Sequence, residues 1–216
     1  MSLLTKLFNF VLVCVSKYNI DESHGLSHAM NILTCANKIY TQEVEKQPYL
    51  KDHEKIIYVS SVLHDMCDKK YMDQDQGMKD INNFIGTLKN ENDKQFITDN
   101  EKEIISKIIT TMSYSYVKKN GFPDLGEYQT AYNVVREADL LCAYDFDRCM
   151  IYQMYNKNFS LDDAYRDAIA LFEVRMFKHY DDGLLLTEYA KNNYKMMEHT
   201  SKLQIGQWKK LLTKKL

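Results

Sequence analysis

Residues 3–15 read L-L-T-K-L-F-N-F-V-L-V-C-V, the most apolar run in the chain. A secretory core, a membrane span and a packed helix compete for such a run. Asn9 interrupts it, only Lys6 stands ahead of its apolar centre, and no small-x-small cleavage pattern follows, all of which argue against a secretory segment. The run is also too short to cross a bilayer. Leu3, Leu4, Leu7, Phe8, Val11, Leu12 and Val15 recur at helical steps, which predicts a helix with one face turned inward.

The same periodicity extends along nearly the whole chain. Asp21-Glu22-Ser23 offers an N-cap for a second helix over 25–45, ending before Pro48. A third is expected over 52–67, with Ile56, Ser60, Leu63 and His64 on one side, then a polar loop over 68–76 and an amphipathic helix through Ile81, Phe84, Ile85 and Leu88. Residues 90–100 read as a solvated acidic loop. Ile104, Ile105, Ile108, Ile109 and Met112 mark a helix that stops before Gly121-Phe122-Pro123. Residues 127–156 read as one long helix or two abutting ones, Ser160 caps the next, and a last helix starts after Gly183.

Composition agrees with this reading. Two prolines and seven glycines in 216 residues are too few for the frequent turns of a β-sandwich or barrel. Hydrophobic residues at 45% and charged ones at 27% exclude a disordered chain, and a net charge of −2 gives no global attraction to nucleic acid or anionic lipid. With no repeat and no linker, the expectation is one all-α domain over 1–216, a motif-bearing core over about 21–150 and C-terminal helices over about 160–212. Cys14, Cys35, Cys67, Cys142 and Cys149 are odd in number and lack any C-x-x-C pair, which predicts reduced, buried thiols and a cytoplasmic setting. The basic amphipathic end, 207–216, and the sixteen scattered tyrosines read as solvated helix and half-buried packing.

Four places put metal-competent side chains where helical spacing predicts core. His24 and His28 lie four apart, which places them on one face of the second helix. His64 and Asp65 follow the apolar stretch 56–63, and Asp139 sits among Val134, Val135, Ala138, Leu141 and Cys142. A lone inward histidine is ordinarily hydrogen-bonded core, whereas a buried carboxylate costs several kcal/mol unless paired or bound. Two imidazoles and two carboxylates from three helices make a mixed nitrogen and oxygen shell suited to Mn, Fe, Co, Ni, Zn or, less well, Mg.

Three segments in order carry a family resemblance: D-E-S-H-G-L-S-H (21–28), V-L-H-D-M-C-D-K-K-Y (62–71) and R-E-A-D-L-L (136–141). Together they resemble the HD-domain superfamily of metal-dependent phosphohydrolases, in particular its small bacterial, plant and viral members that open D-x-S-H-x-x-x-H. The resemblance implies an all-α HD-type bundle that holds one divalent metal on His28, His64, Asp65 and Asp139. It further implies that His24 faces substrate phosphate and that Asp68 assists proton transfer. The implied activity is hydrolysis of a small phosphorylated substrate, a phosphomonoester or nucleotide, by a metal-activated water. Lys69, Lys70 and Arg148 are candidates to bear phosphate charge, against a solvated-loop reading for the lysines and a surface ion pair for Arg148. Asp68 has its own alternative, capping the loop or pairing with Lys69 or Lys70. Two rival functions stand beside this one. A non-catalytic nucleotide- or metal-binding HD protein would keep the pocket and could dispense with Asp68, while a two-iron oxygenase would need further histidines where none lies between His64 and His179.

Overall fold

A computed structural model describes residues 1–90, 94–156 and 159–214. Those residues form ten α-helices and no named strand. They are α1 (Leu3–Tyr18), α2 (Leu26–Lys46), α3 (Glu54–Leu63), α4 (Gln74–Thr87), α5 (Asp99–Thr111), α6 (Tyr114–Asn120), α7 (Gln129–Cys142), α8 (Phe146–Asn156), α9 (Leu161–Val174) and α10 (Glu188–Leu212). No described helix is long and apolar enough to cross a membrane.

α1 forms as its periodicity predicts, but its inward face is narrower than expected: Leu7, Val11 and Cys14 are buried, whereas Leu4 and Leu12, expected inside, lie outside with Val13. It ends at Asn19, which takes the left-handed conformation that a helix C-terminus favours. α2 lies at the centre, against α3 and α7, so the helices that flank the three motifs are mutual neighbours. Most of the buried apolar side chains form one core, while Phe146, Cys149, Met150, Ala168, Phe172 and Met176 form a smaller one between α8 and α9. Four thiols are buried and Cys142 is partly exposed; all five are unpaired.

Several boundaries differ from the sequence reading, each for a local reason. Asp21 caps a 3-10 turn, Glu22–His24, and Gly25 stands at the N-cap of α2, so His24 precedes the helix that carries His28. α3 stops at Leu63 instead of 67: the His64 ring takes the Ser61 carbonyl at 2.9 Å, the acceptor Asp65 N–H would need to continue the helix. The expected single helix before Gly121 is two, because Ser113 accepts from Tyr116 N–H and caps a new start. Residues 127–156 take the second of the two forms expected for them, two abutting helices, dividing at 143–145, where Asp145 accepts from the backbone of Asp147 and Arg148. α4 begins inside the expected loop with Asp73 as its cap, and α5 begins at Asp99 with a capping box between Thr98 and Glu101. The interior of the 90–100 loop at 91–93 and the chain end at 215–216 lie outside the described residues.

Candidate metal centre

α2 supplies His28, the turn after α3 supplies His64 and Asp65, and α7 supplies Asp139. The four side chains converge. His28 Nε2 lies 3.3 Å from His64 Nε2 and 3.3 Å from Asp65 Oδ2, which is itself 3.1 Å from His64 Nε2. Asp139 Oδ1 stands 3.7 Å from His28 Nε2 and 3.9 Å from His64 Nε2. Asp139 is not the fully buried carboxylate its helical position suggests, because its side chain is 22% exposed and opens onto a cavity.

The proton inventory shows what such a cluster can hold. His64 Nδ1 donates to Ser61 O, so in the neutral ring His64 Nε2 presents a lone pair, and a cation there would take the place of the proton that Asp65 and Asp139 otherwise favour. Arg148 Nη2 donates to His28 Nε2 at 3.0 Å, so that nitrogen also presents a lone pair, and His28 Nδ1 is buried without a partner. Asp65 Oδ2 is buried with no hydrogen bond although both rings lie beside it. Acceptors thus face one another at a common point, which suits a cation. A buried group of His28, His64 and Asp65 that could hold a metal ion is present among the described residues, and the metal's identity stays open.

Electrostatics reflect the same crowding. Burial is the largest effect on His28 and Arg148 adds to it, carrying the imidazole down to about 4. Burial opposes charge on His64 as well, but Asp65 and Asp139 outweigh it and lift the ring to about 9. For both carboxylates burial works upward and is overcome, chiefly by His64, which holds Asp65 well below the usual range and Asp139 below it.

His24 stands beside the cluster, its ring centroid 6.0 Å from that of His28. Its orientation is fixed from behind. Ser23 Oγ and Tyr71 Oη both donate to Asp21, which obliges His24 Nδ1 to donate to one of them, at 2.7 and 2.8 Å. Nε2 then accepts from Lys70 Nζ at 3.2 Å. Hydrogen bonds from His24, Ser23 and Tyr71 overcome the burial of Asp21 and hold its carboxyl far below the ordinary carboxylate value.

Asp68 lines the cavity in the arrangement that its capping alternative describes: Oδ1 accepts from Lys70 N–H at 2.9 Å, and Oδ2 pairs with Lys70 Nζ at 3.3 Å. Lys70 also lies over the Tyr152 ring, 5.0 Å from its centroid, and so belongs to the site; Lys69 is exposed on the rim. Arg148 makes no surface ion pair among the described residues. Its Nε donates to Ser23 O at 2.6 Å, and its other arm reaches His28.

The cavity, about 530 Å³, extends beyond every residue that the motifs name. Tyr114 and Lys119 of α6 and Arg175 after α9 form part of its wall. None of them carries a spacing signal, because they reach the cavity only through packing of distant segments. Comparison with protein-family models, curated proteins and solved structures finds no match to this chain.

Proposed function

We propose that the protein is an HD-type metal-dependent phosphohydrolase that acts on a small phosphorylated molecule. The observation that carries the reading is the convergence of His28, His64, Asp65 and Asp139, from three separate segments, on one point at the edge of a cavity lined by cations. A divalent ion held by these four residues supplies Lewis acidity toward phosphate oxygen and makes water a stronger acid. Hydrolysis adds water oxygen to phosphorus, breaks the ester P–O bond and leaves a proton on the departing oxygen.

The remaining roles fall to the chain itself. Arg148, tied to Ser23 O, and Lys70, seated between His24 and Tyr152, bear phosphate charge at fixed positions. His24, set by Asp21, Ser23 and Tyr71, holds Lys70 Nζ through Nε2 and so acts on the same phosphate through that ammonium. Asp68 takes the proton of the attacking water or returns one to the leaving oxygen. Its double engagement by Lys70 is the observation that favours the rival reading, a non-catalytic binder with the same pocket.

A panel of phosphate esters, assayed with metal-stripped protein and Mn, Fe(II), Co, Ni, Zn or Mg in turn, tests the reading. We expect metal-dependent release of inorganic phosphate, with one tightly bound ion per chain by elemental analysis. A bound ion without turnover on any ester would favour the binder. Absence of both would refute the site.

A further inference from the structure

The cations that line the cavity outnumber what one phosphate monoester requires. Lys70 balances Asp68, and on the reading proposed above, a divalent ion balances Asp65 and Asp139. Among the lining residues Lys69, Lys119, Arg148 and Arg175 then stand against Asp145 alone, and none of the four has an ion-pair partner among the described residues. Asp145 is already occupied in capping α8. A monoester dianion would match two of the three net positive charges and leave one cation without a counter-charge.

The surplus is divided in space. Arg148 contacts the His/Asp cluster, whereas Lys119 and Arg175 line the same cavity without touching it. Arg175 is held in place: its guanidinium lies 4.5 Å from the centre of the Tyr114 ring, and its Nε is buried with no acceptor. The guanidinium is a planar fork suited to phosphate oxygens, and no side-chain or backbone acceptor among the described residues engages it. Lys119 brings a second positive charge from α6.

We propose that Lys119 and Arg175 form a second anion subsite, and that the substrate is a doubly phosphorylated small molecule of which one phosphate is hydrolysed at the metal centre while the other is held by this pair. The inference rests on the phosphohydrolase reading for the first phosphate only; the subsite itself is a binding claim and can be measured without turnover.

A matched pair of probes, glucose 1-phosphate and glucose 1,6-bisphosphate, tests it on the full chain by calorimetry with no added metal and by phosphate release with Mn. Charge-assisted hydrogen bonds to a second phosphate should make the bisphosphate bind about tenfold tighter or better in wild type. Arg175→Gln and Lys119→Gln should each bring that ratio toward one, and the ratio of kcat/KM values should fall with it. Lys119 is exposed, so its variant keeps the test valid if Arg175→Gln folds poorly. A wild-type binding ratio near one, or a ratio that both variants leave intact, overturns the subsite. Preferential binding that both variants lose, without phosphate release from either probe or from any ester of the panel above, sustains the subsite and sinks the phosphohydrolase reading instead.

Discussion

Helix α7 carries two polar clusters that solve burial in opposite ways. Arg136 and Glu137 are 1% and 0% exposed, yet the carboxylate is engaged on both oxygens and Arg136 Nη2 on two acceptors, with Arg136 Nε left buried and unpartnered. Glu137 accepts from Leu186 N–H, Thr187 N–H, Thr187 Oγ1 and Arg136 Nη2, at 2.7 to 3.1 Å, and Arg136 also reaches Leu184 O. Two residues further on, Asp139 joins His28, His64 and Asp65 in a cluster of facing acceptors with unfilled valences. The first cluster ties the segment before α10 to the core and completes the cap of that helix; the second is a group that could hold a metal ion. Satisfied buried polarity stabilises, and unsatisfied convergent polarity binds.

The largest effect should come from breaking the satisfied cluster. Glu137→Ala would leave Arg136 buried and unpaired and free three donors before α10, a loss of about 3–5 kcal/mol by denaturant unfolding. Metal content of the protein that still folds should be unchanged. A smaller loss, under about 1 kcal/mol, would contradict the structural role assigned to the pair.

The mirror experiment is Asp65→Asn. The metal-free variant should lose the stabilisation that Asp65 and His64 give one another, so each protein's gain on adding metal is measured against its own metal-free form. With Mn at about a hundred times its Kd, wild type should gain about 2.7 kcal/mol and the variant almost nothing, together with loss of turnover. Equal metal stabilisation in both proteins would remove Asp65 from the site.

Asp68→Asn sharpens the comparison inside the cavity. The Asx turn to Lys70 N–H survives the change because an amide oxygen can still accept, whereas the proton-accepting charge is lost. If Asp68 works as an acid or base, turnover should fall about a hundredfold with metal content unchanged. Near-normal turnover would assign it to loop capping and Lys70 pairing alone.

What could be read from the sequence follows the range of each signal. Helical periodicity is local, so the elements from α1 to α10 and most of the inward faces were visible, as were the four converging side chains, which sit on three short motifs. The break at 112–113 was hidden because Ser113 interrupts an otherwise continuous helical pattern, whereas a division within 127–156 is one of the two forms that pattern allows. His24 was placed on α2 by its spacing from His28, but Gly25 at the N-cap puts it one element earlier. Arg136 and Glu137 could be seen only as neighbours of Asp139, since their partners are about fifty residues away. The wall of Tyr114, Lys119 and Arg175 exists only once α6 and α9 are packed, and no short-range pattern encodes it.

His179 lies between these two kinds of cluster and gives the finest test of the distinction. It is fully buried between Tyr114 and Tyr144, ring centroids 5.7 and 5.6 Å away, and neither nitrogen has a hydrogen-bond partner. Burial, reinforced by Arg175, depresses it to about 3. In the unfolded chain the same ring takes a proton near pH 6.5, so below that pH the unfolded state binds the extra proton and the folded state does not. Its contribution is therefore present above about 6.5 and declines as pH falls toward 3, reaching a loss of about 2 kcal/mol at pH 5. His28 is depressed as well, so wild type should show a combined acid sensitivity, and the difference from His179→Phe isolates one ring. Denaturant unfolding at pH 7.5 and pH 5 should show the variant losing about 2 kcal/mol less than wild type over that interval. Equal losses would mean that His179 finds a partner or water in solution, and it would then no longer count as an unsatisfied buried group.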